Sequence, residues 1–198
     1  MKFILAVLAF WSTSATAAPI VGAEAPDFTG TTTSGETISL SDFDGQKVIL
    51  EWTNDGCPYV KKHYNSGNMQ SVQKRTTADG VVWISIISSA PGEQGYVTAA
   101  EADELTTSRR AAPTHVILDP EGTIGRLYEA KTTPHMFVID ESRVLQYAGA
   151  IDSIPTARED DIARAENYVM AAYKSLKDGK PVVTRQSQPY GCSVKYAS

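Results

Sequence analysis

The sequence has few of the residues that bind metals or nucleic acids. Only two cysteines and three histidines occur among its 198 residues, and the net charge at pH 7 is −5. The longest basic runs are the pairs Lys61-Lys62 and Arg109-Arg110, so a nucleic-acid partner is not expected. The glycine-rich G-x-G-x-x-G and G-K-[ST] motifs that bind phosphates are also missing, so no organic cofactor is expected.

Long apolar runs are confined to the N-terminus. Lys2 precedes an apolar run from Phe3 to Trp11, and Ala15-Thr16-Ala17 has the small-residue pattern of a cleavage site. This order is typical of a secretory signal peptide, and the run is too short to cross a bilayer. The sequence therefore predicts a signal peptide over 1–17. It also predicts an exported protein, periplasmic or extracellular, with no membrane association after cleavage.

The rest of the chain shows one periodic region followed by a stretch without periodicity. The predicted strands are 48–53, 81–88, 116–118, 136–140 and 143–148, after a hairpin over 31–40. The predicted helices are 58–64, 69–79, 98–109, 124–128 and a last one that opens with a Thr156–Glu159 capping box and extends to Leu176. This order predicts an α/β domain with a mixed sheet over 18–178. Residues 179–198, which include Cys192, are predicted to be a tail.

Cys57 lies where a buried strand meets a helix. Pro58 suits the first position of a helix, because the missing N–H is not needed there. Cys57 is therefore expected at or next to the N-cap, where free N–H groups and the helix dipole favour a thiolate. Lys61 is expected on the same helical face. Helix N-termini can lower a cysteine pKa from about 8.5 to roughly 3.5–7.5, so we predict that Cys57 is a nucleophile.

Several motifs beyond this cysteine occur in a characteristic order. Thr133-Pro134 opens a predicted strand, Asp119-Pro-Glu-Gly122 precedes it, and a hairpin ending at 147–149 follows it. Together with the Cys57-Pro-Tyr-Val-Lys turn, they resemble the thioredoxin fold, and most closely its redoxin or AhpC/TSA (peroxiredoxin-like) branch. The resemblance covers roughly residues 20–178, and the tail motif at 189–196 is similar to that branch as well.

The resemblance implies a fold and a set of site residues. The implied fold is a thioredoxin-like three-layer sandwich with a central mixed sheet. Pro134 is expected to be cis and to face Cys57, and the backbone of Thr133 is expected to offer strand-like hydrogen bonds to a substrate. Glu51 stands six residues before the nucleophile, where thioredoxins have a buried carboxylate, and it could transfer protons for Cys57. The alternative for Glu51 is a strand-end carboxylate that reaches solvent or a lysine.

The sequence also departs from the family pattern. The second cysteine of a C-x-x-C pair would be residue 60, which is Val60, so dithiol exchange within that motif is excluded. The threonine that peroxiredoxins place three residues before the reactive cysteine is Asn54 here, and their arginine aligns with Pro134. Both peroxide-activating groups are thus missing from their expected places.

Three functions remain compatible with the sequence. In the first, Cys57 is the redox-active thiolate of an exported thiol oxidoreductase that reacts with peroxide or a substrate disulfide. Cys192 is then the resolving thiol, within one chain or between two, and an external thiol restores both. In the second, a permanent Cys57–Cys192 disulfide stabilises a redox-inactive binding module. In the third, Cys57, His135 and His63 bind copper or zinc.

Overall fold

The computed structural model describes residues 18–197, and the predicted signal peptide lies outside this range. The strands are β1 (Thr29–Thr32), β2 (Thr37–Ser39), β3 (Val48–Trp52), β4 (Val82–Ile87), β5 (His115–Leu118), β6 (Thr132–Thr133), β7 (His135–Ile139), β8 (Leu145–Gly149) and β9 (Cys192–Ser193). The α-helices are α1 (Pro58–Asn65), α2 (Asn68–Ala78), α3 (Ala99–Ser108), α4 (Thr123–Leu127) and α5 (Tyr168–Lys177). Two 3-10 helices cover Leu40–Phe43 and Glu159–Arg164.

The main sheet has the strand order β2-β1-β5-β4-β3-β7-β8. Strands β3, β4 and β5 are parallel, whereas β7 and β8 continue the sheet antiparallel on one side and β1 and β2 on the other. Every residue of β4 is buried, as its continuous apolar sequence predicts for a central strand. The predicted α/β domain with a mixed sheet is confirmed.

The two faces of the sheet carry separate apolar clusters, because side chains alternate along each strand. Leu50 and Trp52 of β3 pack on one face with Tyr128, which follows α4. Ile49 packs on the other face in the cluster that contains Cys57 and side chains of α1, α2 and α5. Helices therefore cover both faces of the sheet. Within residues 18–197, no helix is long and apolar enough to cross a membrane.

The chain between β8 and α5 differs from the predicted helix. A 3-10 helix ends at Arg164, Ala165 is extended with ψ 139°, and Asn167 caps α5 by accepting from the Met170 N–H at 2.9 Å. The predicted Thr156–Glu159 capping box is wrong. The Thr156 hydroxyl instead donates to Asp161, whose carboxylate also binds two arginines, Arg158 and Arg164.

Residues 179–197 run along the domain and are fixed to it by backbone hydrogen bonds. The Ser187 N–H donates to Ala148 O at 3.2 Å, and the Val194 N–H donates to Lys131 O at 3.1 Å. Between these contacts, β9 pairs antiparallel with β6, so that Cys192 lies opposite Thr133. The last residues reach another part of the domain, since Lys195 O accepts from the Ala90 N–H at 2.8 Å. The tail is thus a packed part of the structure.

Candidate active site

Cys57 is the N-cap residue of α1, as its sequence context predicts. Its backbone is extended, Pro58 is the first helical residue, and the Lys61 N–H donates to Cys57 O at 2.9 Å. The side chain is completely buried, with a relative accessibility of 0%. As a thiol, Cys57 donates from Sγ to Thr133 O at 3.0 Å. The sulfur atom of Cys57 therefore lies between the start of α1 and strand β6, while the predicted cationic neighbour Lys61 is exposed.

Thr133, Pro134 and Cys192 meet at this same point. The Thr133–Pro134 peptide bond is cis, as the family resemblance implies. Cys192 is the register partner of Thr133 and is half-buried beside the apolar cluster that contains Cys57. Gly191 makes this approach possible, because a Cβ on it would lie 2.0 Å from Thr133 O, and its φ of +141° disfavours other residues. Both cysteines are free thiols.

The two thiols differ in acidity. Burial raises the pKa of Cys57, but the neighbouring polar groups of Cys192 and Thr133 outweigh this effect and hold the pKa below its usual value. Burial and the neighbouring Cys57 raise the pKa of Cys192 to about 11. Among residues 18–197 the buried Thr133 hydroxyl has no hydrogen-bond partner. Of the two thiols, Cys57 is therefore the more acidic.

Glu51 is buried on the face of the sheet that also carries Cys57, but its carboxylate binds groups other than Cys57. It accepts hydrogen bonds from Tyr64 at 2.9 Å, Trp83 at 2.9 Å, Ser85 at 3.0 Å and Gln73 at 3.2 Å. Burial raises its pKa, and these hydrogen bonds oppose that effect only in part. The alternative of a solvent-reaching carboxylate is wrong, because Glu51 has a relative accessibility of 0%. Its partners lie on α1, α2 and β4.

The two buried histidines, His63 and His135, do not form a metal site with Cys57. His135 stacks on Phe137, with ring centroids 4.5 Å apart, on the opposite face of β7, and it lines a cavity of about 440 Å³ there. Burial lowers the pKa of His135 to about 3 and that of His63 to about 4. Within the described range, no three metal-binding side chains lie close enough to hold an ion. The geometry therefore does not support the copper or zinc site.

A buried polar cluster lies on α1 beside the site, and its members were not identified from the sequence. Lys62 Nζ donates to Asp152 Oδ2 at 3.0 Å and to Ile154 O at 2.9 Å, and both charged side chains are almost completely buried. Tyr190, two residues before Cys192, donates its hydroxyl proton to Asp152. The only sequence signal was the nearness of Tyr190 to Cys192, because Lys62 and Asp152 are 90 residues apart.

Residues 21–148 match the AhpC/TSA family. The chain belongs to the AhpC/TSA family. The predicted redoxin resemblance is therefore confirmed, and it agrees with the predicted class of activity, thiol oxidoreduction. The matched segment contains Cys57, Thr133 and Pro134 but ends before the tail and Cys192.

Individual relatives of this AhpC/TSA protein agree with that assignment. The chain is 29% identical over 126 residues to the thioredoxin-like protein YneN of Bacillus subtilis, covering 63% of this chain and 68% of that protein. An uncharacterized conserved protein from Geobacillus kaustophilus has a similar structure, with a TM-score of 0.74 and 22% identity over 90% of this chain and 93% of the other. A putative thiol:disulfide interchange protein DsbE from Chlorobium tepidum gives a TM-score of 0.54 and 24% identity over 66% and 85% of the two chains. These similarities confirm the thioredoxin-like fold.

Proposed function

We propose that this AhpC/TSA protein is a two-cysteine thiol oxidoreductase in which Cys57 is the attacking thiolate and Cys192 resolves the oxidised form within the same chain. The observation that carries this proposal is the pairing of β9 with β6, which sets Cys192 opposite Thr133, the residue whose carbonyl oxygen accepts the hydrogen bond from Cys57 Sγ. The pKa of Cys57 is lowered and that of Cys192 is raised, which agrees with this arrangement. A thiolate next to a protonated thiol is the starting arrangement for oxidation of the first and attack by the second.

The oxidation begins at Cys57. With a peroxide, Cys57 Sγ attacks one oxygen, an S–O bond forms, the O–O bond breaks, and the leaving alkoxide or hydroxide takes up a proton. With a disulfide, an S–S bond forms to Cys57 and the substrate's second sulfur leaves as a thiolate. The first route produces a sulfenic acid and the second a mixed disulfide.

Cys192 completes the cycle. Its sulfur attacks Cys57, forming the Cys57–Cys192 bond and releasing water from the sulfenic acid or a thiol from the mixed disulfide. Two equivalents of an external thiol then reduce this bond and become a disulfide. Thr133 and Pro134 border the reacting sulfur and shape the site, whereas we assign Glu51 only an indirect role through Tyr64 on α1.

The surroundings of Cys57 differ from those that activate peroxide in peroxiredoxins. Asn54, which stands in the place of the peroxiredoxin threonine, bonds to neighbouring backbone groups. Its side-chain NH₂ donates to Gln94 O at 2.9 Å, and its side-chain oxygen accepts from the Gly56 N–H at 2.9 Å. Arg109 pairs with Asp55 at 2.7 Å. Among the described residues, polar groups of Cys192 and Thr133 lower the pKa of Cys57. We further propose that the protein acts after export, on the basis of the signal-peptide pattern at 1–17.

The proposal is tested by following both thiols after one equivalent of oxidant. Reduced mature protein is mixed with hydrogen peroxide or a small disulfide, quenched with an alkylating reagent and analysed by intact mass, in parallel with Cys57→Ser and Cys192→Ser. We expect wild type to lose both thiols to one internal bond, Cys192→Ser to stop at an adduct or sulfenic acid on Cys57, and Cys57→Ser to remain unreacted. Oxidation of Cys192 in Cys57→Ser at the wild-type rate would refute the assigned roles.

A further inference from the structure

The tail strand, residues 190–193, lies where a substrate chain would have to bind. Cys192 and Ser193 pair antiparallel with Thr133 and Thr132, and the Val194 N–H donates to Lys131 O at 3.1 Å. The backbone groups of β6 that could bind a peptide next to Cys57 are therefore already paired within the chain. Cys57 itself has no exposed surface.

Tyr190 fixes one end of this strand to the domain. Its hydroxyl donates to Asp152 and lies 3.3 Å from Lys62 Nζ and 3.4 Å from His63 Nε2. Its ring makes an edge contact with Tyr59, with centroids 5.8 Å apart. Lys62 and Asp152 are 1% and 3% exposed, so the groups that Tyr190 contacts are charges removed from water.

Lifting the strand would disturb this cluster. Asp152 would lose the Tyr190 hydroxyl, and a buried charge that loses a hydrogen-bond partner is costly. A peptide disulfide needs the strand to move aside, because it must place several residues next to β6. Since Cys57 is buried, a peroxide also needs an opening, but only one that exposes the sulfur atom of Cys57. The tail strand therefore acts differently on large and small oxidants.

We infer, on the basis of the proposed function, that the tail strand excludes peptide disulfides and that Tyr190 is the specificity-determining residue that restricts Cys57 to small oxidants such as hydrogen peroxide. The same contact holds Cys192, two residues away, against Cys57. Tyr190 thus has two effects of opposite sign. It slows attack on a large disulfide and speeds closure of the Cys57–Cys192 bond after a small oxidant has reacted.

The experiment compares wild type with Tyr190→Phe and Tyr190→Ala in the full mature chain. Tyr173→Phe is the matched control, because it removes another tyrosine–aspartate hydrogen bond, to Asp79, away from the tail. Each reduced protein receives hydrogen peroxide or a short peptide closed by one disulfide, and the products are quenched and identified by mass. Hydrogen exchange at the amides of Cys192 and Val194 reports tail opening in the folded protein.

We expect Tyr190→Ala to react about tenfold faster with the peptide disulfide and to close the internal bond about tenfold more slowly after peroxide, leaving sulfenic acid on Cys57. Tyr190→Phe should show smaller changes of the same signs, with faster exchange at the two amides, and it decides the question if Tyr190→Ala does not fold. Tyr173→Phe should match wild type.

Other outcomes overturn the inference. If Tyr190→Phe changes both rates in the same direction, or no more than Tyr173→Phe does, Tyr190 does not determine specificity although the redox pair stands. If neither oxidant consumes the Cys57 thiol in any of these proteins, the proposed function is refuted and the inference with it.

Discussion

At the scale of single residues, the acidity of Cys57 depends on a residue distant in sequence. The position of Cys57 before Pro58 was sufficient to predict an N-cap cysteine, and the structure confirms it. The pairing with Cys192 was not derivable from that local signal, because it requires β9 to lie against β6. Removing the Cys192 thiol should therefore change Cys57 directly.

The first prediction concerns Cys192→Ala. We expect the pKa of Cys57 to rise, because burial would still oppose ionisation while the stabilising effect of the Cys192 side chain is lost. The thiolate absorbance of the folded protein, titrated against pH, should move to higher pH. Cys192→Ser, which keeps a hydroxyl donor, should move it less, and an unchanged titration in Cys192→Ala would show that Cys192 does not stabilise the thiolate.

The second prediction concerns the pH dependence of stability through His135. Its folded pKa of about 3 lies below the unfolded value of 6.5, so the unfolded state binds the proton first as the pH falls. The stability that neutral His135 contributes to the folded state is fully present above pH 6.5 and is lost progressively as the pH falls toward 3. The free energy of unfolding should fall by about 2 kcal/mol between pH 7 and pH 5 through this residue.

Denaturant unfolding of His135→Asn measures that loss, because asparagine retains an acceptor for the Lys131 N–H and does not titrate. The pH-dependent loss should shrink by that amount relative to wild type. His115→Asn, at the half-buried first residue of β5, is the control for replacing a histidine by asparagine elsewhere in the sheet. An identical pH dependence in His135→Asn and wild type would show that His135 is not held neutral.

The third prediction concerns Glu51→Gln. Oε2 of its carboxylate accepts from Trp83 and Ser85, and Oε1 accepts from the Tyr64 hydroxyl. An amide nitrogen in place of either oxygen would therefore face at least one donor. We expect a loss of about 1–3 kcal/mol in the free energy of unfolding at pH 7, because buried donors lose their acceptor. Glu141→Gln, at an exposed pair with Lys47, should cost at most about 1 kcal/mol. Equal losses in the two variants would contradict the buried network.

At the scale of elements, local sequence signals were sufficient to predict the regular helices and strands. They were not sufficient to predict the strand pairing that brings Cys192 to the site. The continuous apolar sequence of β4 and the Thr98–Glu101 capping box of α3 were sufficient to predict these elements. Strand β9 has only two residues and no periodicity, so only its pairing with β6 defines it. The break before α5 arises because Asn167 caps this helix and hydrogen-bond donors surround Asp161 in the preceding 3-10 helix. Apolar periodicity reports neither feature.

The fourth prediction concerns the contact between β6 and the tail. In Gly191→Ala a Cβ would lie 2.0 Å from Thr133 O, so the tail must shift away from β6. Strain of about 1–3 kcal/mol should slow closure of the Cys57–Cys192 bond after peroxide by about tenfold or more. Gly179→Ala is the control, since its φ is +65° but, apart from its chain neighbours, no atom of the described residues lies within 4 Å of its Cβ position. Rapid quench and mass analysis give the rates, and similar rates in both variants would contradict the close approach.

At the scale of the whole molecule, the sheet brings together residues that are far apart in the chain. Strand β3 leads into Cys57, β7 follows cis Pro134, and the packed tail brings Cys192 to the same point. The family pattern predicted the first two from sequence. The buried ion pair of Lys62 and Asp152 was not predictable, because a lysine beside a helix N-terminus is usually exposed. Our central claim is that these parts form a reversible redox pair in the folded protein.

The most direct measurement is a redox titration of the mature protein in thiol/disulfide buffers, with both thiols counted by mass and the fold followed by circular dichroism. We predict one transition in which Cys57 and Cys192 convert together between two thiols and one internal disulfide while the fold is retained, and its loss in Cys192→Ser. Thiols that stay free throughout, or a disulfide that is reduced only when the protein unfolds, would contradict the redox pair.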